Sequence, residues 1–120
     1  MRYRTGAFAR AAGVTVRTVR YYDQIGLLRP SAVDPSSGYR VYLPSQLQEL
    51  RRILDLKALD FTLDEIKAVL DGELFDQDLR ALLEAKRLEA QHSVRDAQDR
   101  LGRIDAWLTE LLGGAEPRTN

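Results

Sequence analysis

The sequence predicts a mainly α fold: a small head of short helices bearing one β-hairpin, followed by a single long helix. Three observations carry that prediction. Short alanine- and valine-bearing segments near the N-terminus are punctuated by Gly13, Thr15 and Gly26. Residues 25–43 then hold two of the four prolines, with Asp34, Ser36, Ser37 and Gly38 between apolar flanks. From residue 76 to residue 112 there is no proline, and Gly102 is the only glycine.

Each element follows from local chemistry. Thr5–Ala12 has the alanine content of a short helix anchored by Phe8, and Gly13 suits the left-handed residue that ends one. Thr15 is a natural N-cap for a second helix over residues 16–24, with Val16, Val19 and Tyr22 inward and Arg17, Thr18, Arg20 and Tyr21 outward. Two short helices around a glycine-bearing turn read as a helix-turn-helix. Leu27-Leu28 and residues 39–42 are expected to pair as a hairpin across the polar tip, forming a wing beside the second helix. Pro44 opens a third helix, to about Leu59, with Leu47, Leu50, Ile53, Leu54 and Leu56 at helical spacing. Thr62 and Glu65 make a capping box for a short fourth helix, with Phe61 and Ile66 at the staple positions. Capping accounts for Asp64 and Glu65 better than acid–base chemistry does.

The last segment reads as one helix of about 37 residues, roughly 55 Å long. Its apolar residues step by four and three: Ala90, Val94, Ala97, Leu101, Ile104, Leu108 and Leu111, with Leu79, Leu82 and Leu83 extending the stripe. That period is a coiled-coil seam, and a second copy of the chain is its expected partner. Packing of the helix back on its own head is the alternative. The expected organisation is a head over residues 1–75, a dimerisation helix over 76–112 and a linker-like tail over 113–120.

Composition narrows the function. The chain has 120 residues and no cysteine, which excludes disulfides, thiolate metal sites and cysteine nucleophiles. A domain this small hides only about 60% of the surface its unfolded chain exposes, so a large enclosed active site is not expected. No nucleophile–base pair, phosphate loop or cluster of metal ligands stands out, so neither an enzyme nor a cofactor is expected. No apolar run approaches the roughly 20 residues of a membrane span, and a cytoplasmic protein is the reading. The zero net charge hides a split: ten cations face four acids through Leu59, a net of +6 balanced by −6 beyond. Nine of those ten cations are arginine, and all five tyrosines lie within the first 42 residues. Guanidinium forks and phenols suit a phosphate backbone. An ordinary solvated basic face is the alternative.

Residues 14–23 (VTVRTVRYYD), followed by 25–30 (IGLLRP), resemble the MerR family of bacterial transcription regulators. Residues 37–42 (SGYRVY) look like that family's wing, and 59–66 (LDFTLDEI) like a later block of it. The resemblance implies a winged helix-turn-helix homodimer joined by an antiparallel coiled coil. It implies binding to pseudo-palindromic promoter DNA whose over-long spacer is kinked and untwisted for RNA polymerase when an inducer binds. The second helix, starting at Thr15, would enter the major groove, with Arg17 and Thr18 at base edges and nearby phosphates. Arg20, Tyr21, Tyr39 and Arg40 would clamp the backbone. Tyr42 either joins them or packs beneath the wing. Tyr22 reads as core, and Asp23, ill suited to face phosphate, as the local partner of an arginine.

Family branches that sense metals or redox state use cysteines near the coiled-coil end, so thiolate sensing is excluded here. His92, the single histidine, reads as a surface residue. Residues 33–40 look most like the multidrug-responsive branch, whose members carry an effector domain after the coiled coil. Here the sequence reaches Gly113-Gly114 at that point. Either the chain is the DNA-binding fragment of a longer regulator, the preferred reading, or it is a natural short regulator. A small-molecule inducer is expected only in the first case. A DNA-architectural factor and a coiled-coil adaptor are the rival functions.

Overall fold

The computed structural model describes residues 1–113, and the tail expected from Gly114 onward lies outside the described residues. The elements run β1 (Tyr3–Arg4), α1 (Thr5–Ala12), α2 (Val16–Gln24), β2 (Ala32–Val33), β3 (Arg40–Tyr42), α3 (Pro44–Ala58), α4 (Leu63–Leu70) and α5 (Asp76–Gly113). The described residues fall into two compact units, one to Asp76 and one from Gln77. No described helix is long and apolar enough to cross a membrane.

Local signals set the helix ends. Gly13 takes φ 73° at the end of α1, where a side chain would be strained. Thr15 caps α2, its hydroxyl oxygen accepting from the Thr18 amide at 3.1 Å. The capping box of α4 is reciprocal: Thr62 Oγ1 accepts from the Glu65 amide at 3.1 Å, and Glu65 Oε1 accepts from the Thr62 amide at 2.8 Å. Phe61 and Ile66 are both buried beside it. Leu43 cannot cap α3 with its own side chain. Instead Gln46 Oε1 accepts from the Leu43 amide, and Gln46 Nε2 donates to the Arg29 carbonyl, tying α3 to the base of the wing.

The core of the first unit gathers Phe8, Val19, Tyr22, Leu28, Tyr42, Leu50, Ile53, Phe61 and Ile66. Tyr42 stacks on Phe8 with ring centroids 4.3 Å apart and planes 10° from parallel. That stack seats β3 on α1. Offset aromatic pairs of this kind add about 0.5–1.5 kcal/mol beyond their burial.

The sheet departs from the expected hairpin. Its order is β1-β3-β2, all antiparallel, with Tyr3 opposite Tyr42 and Ala32 opposite Val41. The wing's first strand is Ala32–Val33, not Leu27-Leu28. Both amides of Leu27 and Leu28 donate to the Tyr22 carbonyl in the turn that closes α2, and Leu28 is buried. The two leucines are therefore part of the turn, and Leu28 is spent on the core. β1, which the sequence reading did not include, makes β3 the central strand.

α5 runs one residue past the expected end, taking Gly113 from the tail into the helix. No residue of α5 is buried in the single chain. Leu83, Val94, Leu101, Ile104, Leu108 and Leu111 are all exposed.

Candidate nucleic-acid interface

Two concavities on the first unit collect several of its basic and phenolic side chains. The first is lined by Arg4, Thr5, Gly6, Val16, Arg20, Gly38, Tyr39 and Arg40. The second is lined by Arg17, Thr18, Tyr21, Tyr22 and Lys57. Neither lining contains an acid. Five cations, with phenols that donate but do not repel, are what a polyanion requires of a surface.

The first concavity is assembled from β1, α2 and the wing, with the first residues of α1 also in its lining. α2 supplies Arg20, exposed on the helix face opposite buried Val19. The wing supplies Tyr39 and Arg40. β1 supplies Arg4, whose guanidinium carbon lies 4.1 Å above the centre of the Tyr39 ring, a cation–π contact. Arg4 is also the N-cap residue of α1 and makes no side-chain cap bond, so the first-turn amides of α1 remain for an outside acceptor. The positive end of the helix dipole adds to their pull on an anion.

Arg40 is held from behind. Its Nε donates to Asp23 Oδ2 at 2.7 Å, linking the wing to α2 across 17 residues. Asp23 pairs with an arginine as expected, but the partner is not local: it comes from the wing, 17 positions on. The wing tip is held by Asp34, whose Oδ1 accepts from the Ser36 amide at 2.9 Å and from its hydroxyl at 2.8 Å. The Ser36 amide is the largest reason that the Asp34 carboxyl lies below its usual value. Gly38 follows at φ 74°, which lets the chain reverse into β3.

The second concavity runs along α2 to the end of α3. Tyr21 is exposed there, while its neighbour Tyr22 is buried as the helical phase predicts. Burial raises the Tyr22 phenol above its ordinary pKa, and Tyr21 beside it adds to the shift. Thr18 is half-buried, its hydroxyl 2.9 Å from that of Thr15.

Of the eight residues expected at DNA, six line these concavities and a seventh, Thr15, is exposed outside both linings. Arg20, Tyr39 and Arg40 share one concavity, Arg17, Thr18 and Tyr21 the other, and Thr15 is exposed at the start of α2. Tyr42 requires correction. It is fully buried against Phe8 and cannot present its phenol to a duplex. Strand alternation puts Tyr42 on the same face as Arg40, but one step deeper, over the core. Arg4, Thr5, Gly6 and Lys57 are the additions. Lys57 had only a charge to mark it, and Arg4 needed β1 to bring it to Tyr39.

The Tyr42 hydroxyl has no hydrogen-bond partner among the described residues. Burial raises its pKa above 10.0, the negative Asp23 reinforces the shift and Arg40 opposes it. Removing an unpaired buried hydroxyl is neutral to stabilising, by about 1–2 kcal/mol. Tyr42→Phe is therefore expected to keep or raise the melting temperature in calorimetry and to leave DNA affinity unchanged. The raised phenol pKa means the fold loses stability as pH rises above the unfolded value near 10, and the variant should lose less. A lower melting temperature at neutral pH would give the hydroxyl a role it does not have here.

His92 lies on exposed α5, its Nε2 3.5 Å from Asp96 Oδ2. No group of three or more His, Cys, Asp or Glu among the described residues is placed to hold a metal ion.

A helix-turn-helix, a three-stranded wing and a basic cleft between them define a winged helix-turn-helix protein. Comparison with known proteins agrees. Residues 3–73 match the MerR HTH family of regulatory proteins. The transcriptional activator mta of Bacillus subtilis is 36% identical over 114 residues, covering 95% of this chain and 43% of that protein. The crystal structure of MtaN, the N-terminus of the B. subtilis multidrug transporter activator, superposes with a TM-score of 0.72 at 35% identity, covering 88% of this chain and 97% of that one. EcmrR, in its DNA complex within EcmrR-RPo, superposes with a TM-score of 0.77 at 34% identity, covering 97% of this chain and 41% of that one. The chain belongs to the MerR family of helix-turn-helix transcription regulators. It spans less than half the length of mta.

Proposed function

We propose that the chain binds promoter DNA as a homodimer and regulates transcription initiation, with no catalytic role. The observation that carries this reading is the convergence of Arg4, Arg20, Tyr39 and Arg40 on one cleft beside α2 with no acid in its lining. In this reading residues 1–75 form the DNA-binding head. Arg17 and Thr18 meet base edges. Tyr21 and Lys57 flank them, and the cleft with the first turn of α1 takes a backbone phosphate. The uncovered seam of α5 supports pairing with the same helix of a second copy over residues 76–112. Closed two-fold pairs then match a symmetric duplex. EcmrR is seen in complex with DNA in RPo, which supports RNA polymerase as the partner at the promoter and the cytoplasm as the site of action. The likeness to the multidrug transporter activator supports a small-molecule inducer as a further partner wherever the intact protein carries an effector domain.

Fluorescence anisotropy with a labelled 30-base-pair duplex of the gene's own upstream region, and with a random one, tests the reading. Wild type should bind both, with affinity falling steeply as salt rises. Arg40→Ala should weaken both alike. Arg17→Ala should also narrow the gap between them, by about 1–3 kcal/mol if it forks onto a base. Binding by both variants that matches wild type would reject this DNA face.

A further inference from the structure

An acid beside a phosphate-binding cleft is expensive unless something is gained from it. Asp23 sits on α2, the helix carrying Arg17, Thr18 and Arg20, three residues past Arg20. Its side chain is largely shielded, at 15% exposure, while that of Arg40 is 47% exposed. The pair uses Arg40 Nε, which leaves the terminal amino groups for an acceptor in the cleft that Arg40 lines. Arg40 lies opposite Val33 in the β2–β3 pairing, and each strand pairing of the wing is only two residues long.

We propose that Asp23 is a positioning residue for DNA binding: its carboxylate locks Arg40, and through it the wing, to the recognition helix so that both grip one phosphate. This deepens the DNA-binding reading and rests on it. A long arginine loses rotamer freedom on binding phosphate, and an Arg40 already fixed at Nε has less to lose. Asp23 touches no DNA in this account. It acts through Arg40 alone.

The two opposing effects of Asp23 predict opposite signs. If the acid merely repels the duplex, removing it tightens binding about two- to threefold. If it positions Arg40, removing it weakens binding by about five- to tenfold despite the lost repulsion, and lowers the salt slope by about one. The probe is a fluorescein-labelled random 30-base-pair duplex at low salt, titrated with wild type, Asp23→Ala, Asp23→Asn and Arg40→Ala. Asp23→Asn loses the same charge but keeps an oxygen that can accept from Arg40 Nε, so it should fall between Asp23→Ala and wild type. In the Arg40→Ala background Asp23→Ala should cost nothing further. Thermal melts accompany each variant, and if Asp23→Ala does not fold, the near-isosteric Asp23→Asn alone decides the sign. Tighter or unchanged binding by the Asp23 variants, with Arg40→Ala still weakened, overturns the inference and leaves the DNA-binding reading intact. So does an equal loss with and without Arg40. Wild-type binding that is absent or indifferent to salt overturns both.

Discussion

Leu101→Glu is expected to abolish the proposed α5–α5 dimer, leaving a monomer, and to remove most of the DNA affinity proposed for the pair. Leu101 is near the middle of the α5 stripe and is exposed in the single chain, so nothing in that chain depends on it. In a symmetric pair each substitution enters the seam twice. An unpaired buried carboxylate costs several kcal/mol, and two of them exceed what alanine-bearing layers at Ala90 and Ala97 can offset. A dimer dissociation constant raised by a factor of about 1,000 or more corresponds to roughly 4 kcal/mol. Sedimentation equilibrium reads the mass, and circular dichroism checks that the head keeps its helices. A variant that stays dimeric would mean the stripe is not the interface. Loss of one half of a two-site grip removes the gain from linking the sites, so anisotropy should report far weaker binding to a symmetric duplex.

Phe8→Ala is the second large effect. Phe8 is fully buried, stacks on Tyr42 at 4.3 Å and lies 6.1 Å from the Tyr3 ring. It thus joins α1 to the edge strand β1 and the central strand β3 of the three-stranded sheet. Phenylalanine-to-alanine changes in cores cost about 3–5 kcal/mol, the lost burial plus the cavity left behind. Against a total of about 5–15 kcal/mol for a typical domain, that is enough to leave the head partly unfolded at growth temperature. Thermal denaturation followed at 280 nm, where the tyrosines of the head report, should show a large drop in its midpoint. A loss below about 1 kcal/mol would mean that the site collapses around the missing ring.

These two residues also mark how legible the molecule was. Phe8 could be assigned to the core because an aromatic in an alanine-rich helix has one place to go. The same holds for the caps. Thr15 and the Thr62–Glu65 pair act within three residues, so their hydrogen bonds are written into adjacent positions. Strands of two or three residues carry no usable period, which is why β1 was missed and Leu27-Leu28 was taken for the wing strand. The same shortness left Tyr42 ambiguous. In a segment of alternating Tyr39, Arg40, Val41 and Tyr42, only the sheet's position over Phe8 tells which phenol is enclosed.

Residue order alone was enough to establish where the helices start and stop, the segregation of arginine and tyrosine into the first half and the four-three seam of α5. All are short-range or compositional, so no long-range contact is needed to read them. Tertiary packing chose the occupants of the cleft: Arg4 against Tyr39 and Asp23 against Arg40, partners 35 and 17 positions apart. It also withdrew Tyr42 from the surface. Such pairings depend on which strand lies beside which. That is decided by burying Phe8, Val19 and Leu50 together, a collective outcome that no local window contains.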